Sequence, residues 1–204
     1  MSKFAKRTAF VGAALIAAAG MTVSSASATA ASHPYVVTGG GAYTATATGP
    51  TLAVPNATLI CDSATASGSV NGGSAVNNPL ATITSLAFLN CSVSGIRFGV
   101  TISGLPYTLN GDHTDTVNGV STGTVNGAIH AEIVDTDTGG MLCSATFVGT
   151  TIDGAYDNNS NQLNVLGGGD LHASAANCLG FINTGDHADF EGEFVLNHAV
   201  TVNH

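Results

Sequence analysis

The chain has no tryptophan, four Lys and Arg residues in all, and only 8% charged residues. Each shortage excludes something. Three of the cations, Lys3, Lys6 and Arg7, stand at the extreme N-terminus, so the rest of the chain carries Arg97 alone against all thirteen Asp and Glu residues. Such a chain has no electrostatic footprint for a nucleic-acid backbone, and an anionic lipid surface repels it. The lack of Trp and the low aromatic content, 6%, count against a sugar-stacking cleft, which relies on aromatic faces. Lys, Glu and Gln are scarce. After residue 30 no window holds apolar residues at i, i+3, i+4 and i+7 for long, so helices are not expected there. No C-x-x-C and no H-E-x-x-H occurs, which removes the motif-level case for a zinc site.

What is present begins with a three-part leader. Lys3, Lys6 and Arg7 form a positive start, Phe10 to Val23 is an apolar run, and Ser24 to Ala31 supplies small residues. This is the form of a helical secretory signal peptide. Ala28-Thr29-Ala30 fits an A-x-A site, placing cleavage after Ala30. The apolar run is short of the roughly 20 residues a membrane helix needs. No later segment is long and apolar enough to span, so the exported chain is not expected to be transmembrane. Residues 1–30 thus read as the signal and residues 31–204 as one domain, long enough for a single buried core.

Four cysteines, an even number in an exported chain, point to disulfides. Of the three pairings, Cys61–Cys91 and Cys143–Cys178 are expected, because each pair is about one β-meander apart and the loops do not interleave. Closing loops of that length stabilises by about 3–4 kcal/mol each in the chain-entropy model.

Period-two alternation recurs along the chain. Ile96 to Ser103 turns Ile96, Phe98, Val100 and Ile102 to one face and Arg97, Thr101 and Ser103 to the other. Thr124 to Asp135 sets Ile129, Ala131 and Ile133 against His130 and Glu132. Ala188 to Leu196 sets Phe190, Phe194 and Leu196 against Glu191 and Glu193. Val148, Ile152 and Tyr156 align, as do Val200 and Val202. Tyr35 to Val37 and Tyr43 to Thr48 read as edge strands. Asn71-Gly72-Gly73, Asn110-Gly111-Asp112, Asn118-Gly119 and Asn126-Gly127 read as turns, and Asp157 to Asn161 as a hairpin loop. Many short strands with one wet face predict an all-β domain, an antiparallel β-sandwich or a Greek-key-like barrel with two disulfides. A weak internal duplication is suggested by the Gly-Asp-His triplets at 111–113 and 185–187 following each cysteine pair.

Candidate chemistry is thin. His130 with Glu132, and His187 with Asp189, share strand faces, but nothing sets a three- or four-ligand geometry, and wet-face residues explain them as well. Asp135-Thr-Asp137, Asp153, Asp157 and the asparagines at 158, 159 and 161 offer oxygen ligands for calcium. They lack the glycine and glutamate of an EF-hand loop and suit turns first. Glu191 and Glu193 are adjacent same-face carboxylates of the kind that solvate a strand. No serine sits in a strained-elbow context. No catalytic residue, metal site or cofactor is expected.

The Ala-rich signal, Leu59-Ile-Cys61-Asp-Ser63, Phe88-Leu-Asn-Cys91, Gly104-Leu-Pro-Tyr107-Thr-Leu-Asn110, Cys143-Ser-Ala-Thr146 and Asn183-Thr-Gly-Asp-His187 resemble a group of small secreted actinobacterial proteins of unknown function. More distantly the chain is similar to secreted activators of alkane oxidation. The resemblance implies an exported protein that is not an enzyme, acting at the cell surface or at a hydrophobic growth substrate, and it supplies no catalytic residues. The expected role is therefore structural or interacting, extracellular or associated with the cell envelope. The alternatives are a binder of small apolar ligands, lipid or alkane-like, and a metal-dependent hydrolase.

Two measurements check this reading. N-terminal sequencing of the exported form is expected to begin at Ala31. Thiol titration of the unreduced native protein is expected to find no free cysteine, and titratable thiol there contradicts the disulfide assignment.

Overall fold

A computed structural model describes residues 34–204. The signal segment, the cleavage position after Ala30 and His33 lie outside the described residues. Among the described residues the regular structure is entirely β. The strands are β1 (Tyr35–Thr38), β2 (Gly41–Thr48), β3 (Thr51–Val54), β4 (Ala57–Val70), β5 (Gly73–Val76), β6 (Ala81–Val93) and β7 (Ile96–Ser103), followed by β8 (Tyr107–Asp115), β9 (Val120–Asp135), β10 (Ser144–Asp157), β11 (Gln162–Leu166), β12 (His172–Asn177), β13 (Asp189–Leu196) and β14 (Thr201–Asn203).

Of the two expected architectures, the barrel is the one that forms. Eight strands close a circuit in the order β2, β4, β6, β7, β9, β10, β11, β13 and back to β2. The seam is non-local: Val195 and Leu196 of β13 pair with Thr46 and Ala45 of β2. β3 strengthens it by pairing with both β13 and β4. β8 lies between β6 and β9, and β12 runs along β10. Closure satisfies the edge hydrogen bonds that an open sheet leaves exposed. A second sheet, in the order β14, β1, β5, lies over one end. Its Val200 and Val202 side line the barrel interior, and a Cβ at Gly111 would lie 2.8 Å from the Tyr35 ring, so glycine is what lets β1 approach β8.

Alternation settles most of the core. Phe98, Ile129, Ile133, Phe194, Val200 and Val202 are buried, while Glu132, Glu191 and Glu193 are exposed. Several expectations are corrected. Ile96, at the mouth of its hairpin, is exposed. Phe147 rather than Val148 enters the core, because the β9–β10 register shifts between Gly149 and Thr151 and reverses the phase of β10. Asn110-Gly111-Asp112 and Asn126-Gly127 lie inside β8 and β9, next to register shifts; the conformational tolerance that suits a turn also suits a bulge. Tyr35 to Val37 and Tyr43 to Thr48 are strands, but neither is an edge: β1 is the middle of its sheet and β2 lies between β4 and β13. The Gly-Asp-His triplets are not equivalent, one lying within β8 and the other in the loop before β13.

Both expected disulfides are present. Cys61 and Cys91 face each other across the β4–β6 ladder. Cys143 and Cys178 flank the pair Ser144–Asn177, where β10 and β12 begin and end. Removing the first bridge as Cys61→Ala with Cys91→Ala is expected to lower unfolding free energy by about 2–5 kcal/mol. Phe147→Ala, which empties a fully buried position, is expected to cost about 3–5 kcal/mol. Urea titration measures both, and a loss under ~1 kcal/mol for Phe147→Ala contradicts the core assignment.

Candidate functional site

The titratable residues singled out above are dispersed. His130 sits on the outer face of β9, its Nδ1 3.0 Å from Ser103 Oγ. His187 Nδ1 is 3.8 Å from Asp189 Oδ1, both half-exposed. His172 faces His187 across an isolated bridge, and its Nδ1 is 2.8 Å from the Asp170 carbonyl. Among the described residues no group of three or more His, Cys, Asp or Glu side chains converges as a metal site would require. Glu191 and Glu193 are outward, and Gln162 Nε2 donates to Glu193 at 3.0 Å.

The asparagines considered as calcium ligands hold backbone instead. Asn158 pairs with Val202 through both its amide atoms, at 2.8 Å each. Asn161 Oδ1 accepts from Val200 N–H, and its Nδ2 donates to the carbonyls of Leu196 and His198. Together they latch β14 over the barrel end.

A G-x-S-x-G string does occur, at Gly119-Val120-Ser121-Thr122-Gly123. It leads from a hairpin turn into β9, not from a strand into a helix. Ser121 is buried, with Oγ 2.9 Å from Thr114 Oγ1, and no histidine is bonded to it. The nucleophile-base pair that gives that motif its chemistry is missing.

Among the carboxylates two aspartates are the most strongly perturbed. Asp135, fully buried at the end of β9, accepts from Thr138 Oγ1 at 2.5 Å, Thr138 N–H at 2.7 Å, Cys143 N–H at 3.0 Å and Leu142 N–H at 3.2 Å. The Thr138 hydroxyl first, then the Cys143 amide, draw its pKa down to about 2. It shapes the loop that delivers Cys143 to its disulfide. Asp170 does the same for the bulge in β10, accepting from Thr150 Oγ1 and from the amides of Thr150 and Thr151. Its pKa is also about 2, through the Thr150 hydroxyl first. Both carboxylates are structural.

The concave feature is the barrel interior, an apolar cavity of about 170 Å³. Its origin is compositional. An eight-stranded barrel is just wide enough for side chains to fill, but Ala45 and Ala66 face each other across β2 and β4, with Gly123 and Gly154 on β9 and β10. Between β4 and β9 stand Leu86 and Phe88 of β6 and Val100 and Ile102 of β7, and Phe88 packs edge-on against Phe190, with ring centroids 5.6 Å apart. Three tyrosine rings also line the space, yet each hydroxyl already has an acceptor. Tyr43 donates to the Thr82 carbonyl at 3.2 Å and Tyr107 to that of Ser103 at 2.7 Å, while the Tyr156 hydroxyl lies 2.6 Å from Asn161 Oδ1 and 2.9 Å from the Val200 carbonyl. Burial pushes Tyr43 and Tyr156 up to about 12. The cavity therefore offers contact area and shape, with almost no polar handle.

Compared with protein-family models, curated proteins and solved structures, the chain matches none.

The two aspartates make stability pH-dependent with a defined sign. Their folded-state pKa lies below the unfolded value near 4, so their contribution is complete above about pH 5 and is lost as pH falls through ~4 toward ~2. The urea midpoint is expected to hold at neutral pH and drop across that acid window. Asp135→Asn, which turns an amide toward the N–H donors of Leu142 and Cys143, is expected to lower the neutral-pH midpoint and flatten the acid drop. An unchanged acid profile in the variant overturns this role.

Proposed function

We propose that the protein is an exported, non-catalytic β-barrel that binds a small uncharged apolar molecule in its interior. The apolar interior cavity of about 170 Å³ carries this reading. A void of ~150 Å³ lined by aliphatic and aromatic side chains stays dry and takes up benzene, so the space suits a ligand of roughly six carbons. It is too small for the drug-sized or sterol-like molecules that fill pockets of about 300–1,000 Å³. A charged group inside would be desolvated without compensation. Arg97, the one Lys or Arg among the described residues, is paired with Asp137 at 2.5 Å outside the barrel.

Export is supported by the leader and by two disulfides, which persist in oxidising compartments. The outer face suits water: Thr44, Thr46, Thr48 and Thr65 alternate with the inward alanines of β2 and β4. A membrane barrel would present an apolar band there. No helix among the described residues is long and apolar enough to cross a membrane.

The test is a ligand-induced shift. In buffer equilibrated with benzene or n-hexane, the Tm is expected to rise by a few degrees, as selective binding to the folded state requires, with chemical-shift changes at the Ala45 and Ala66 methyls. Ala66→Leu, which fills the space, is expected to abolish both responses while keeping the fold. Wild-type protein that responds to neither compound overturns the proposal.

A further inference from the structure

The backbone ladder of the barrel wall is interrupted between β6 and β7. β6 and β7 leave their turn as ladder partners for three residue pairs only, Cys91–Phe98, Ser92–Arg97 and Val93–Ile96. Beyond these, β6 regains a partner at Ala81 to Ile83, but that partner is β8. β7 meanwhile follows β9 from Phe98 to Ser103. Residues 84–90 of β6 and 99–103 of β7 therefore have no strand partner toward each other.

The cause lies in one residue. Asn90 has a left-handed φ of 53°, which reverses the alternation of β6. Cys91 is buried on the barrel side of the strand, and before it the cavity-lining positions become Phe88 and Leu86. β7 makes no such reversal: Phe98, Val100 and Ile102 keep one face. Strands out of phase cannot continue a shared ladder without exposing one set of apolar side chains, so pairing stops at Cys91–Phe98. β4 changes phase with β6. Its buried positions pass from Leu59 and Cys61 to Ala64 and Ala66, and Asn90 Nδ2 donates to Asp62 Oδ2 at 2.9 Å where both strands turn over. The β4–β6 ladder therefore survives and the β6–β7 ladder does not.

The borders of this slit are apolar. Leu86, Phe88, Val100 and Ile102 all line the cavity and all are half-buried. The far end of the barrel is covered by β14, latched by Asn158 and Asn161. We propose that the slit between β6 and β7 is the entrance to the cavity, and that it admits a narrow apolar chain whose polar end stays outside. This rests on the interior being a ligand site. An unbranched chain passes between two strands side-on, and the slit gives its polar end a place in water that the apolar interior cannot.

A hexanoyl ester of a piperidine nitroxide tests this on the unaltered exported protein. The six-carbon chain matches the cavity and the spin label reports where the polar end emerges. In amide NMR spectra the broadening is expected to concentrate on residues 84–90 and 99–105 and to spare 200–203. Broadening centred on 35–38 and 200–203, or spread evenly, overturns the entrance while leaving interior binding intact. If the ester causes no broadening and benzene also causes no response, the interior reading falls and the entrance with it. As a second measurement, Ile102→Trp narrows the slit. It is expected to slow association of the ester by about tenfold or more, and an unchanged rate in folded variant counts against the slit.

Discussion

Ring closure of the backbone ladder is the constraint on which the rest depends. Once β13 pairs with β2 and β3, the polar backbone of the wall is largely satisfied from neighbouring strands except between β6 and β7, and the inward side chains share one space. The seam joins residues about 150 positions apart in sequence (45–46 with 195–196), so no local preference brings it about. With the circumference fixed by eight strands, interior volume is no longer free to adjust. Alanine and glycine on β2, β4, β9 and β10 then leave a void that an open sandwich would close by sliding its sheets together.

The irregularities of the wall are held by polar side chains acting on backbone. Asp170 fixes the β10 bulge that sends Phe147 inward. Asp135 fixes the loop leading to Cys143, and Asp62 with Asn90 fixes the phase reversal of β4 and β6. Each satisfies amides or amide-like donors that the interrupted ladder leaves over, the same chemistry that makes Asp and Asn good turn residues. Abundant Asp and Asn in a chain almost devoid of Lys and Arg thus have a structural explanation that requires no cation.

The interior combines two properties that follow from one another. The tyrosine hydroxyls of the wall are taken up by backbone carbonyls and by Asn161 Oδ1. That leaves rings and methyl groups facing the cavity, where attraction is dispersion and exclusion of water, without direction. The binding proposed for it would select by size and polarity.

The sequence alone determined the all-β class, the two cysteine pairings and most of the inward faces, because period-two alternation and loop spacing are local properties that survive into any sheet. Ile129 with Ile133, Phe194, and Val200 with Val202 were legible for that reason. It left open sandwich against barrel, because that choice depends on the remote β13–β2 seam. It misplaced Val148 and the Asn-Gly pairs at 110–111 and 126–127, because a bulge and a turn draw on the same residues and only the partner strand distinguishes them. The cavity was hidden as well: Ala-Thr alternation announces a strand, but whether its alanines meet a filled core or an empty one is decided by what stands across the barrel. The interruption of the β6–β7 ladder was decided last, by a single left-handed asparagine whose phase reversal one neighbouring strand shares and the other does not.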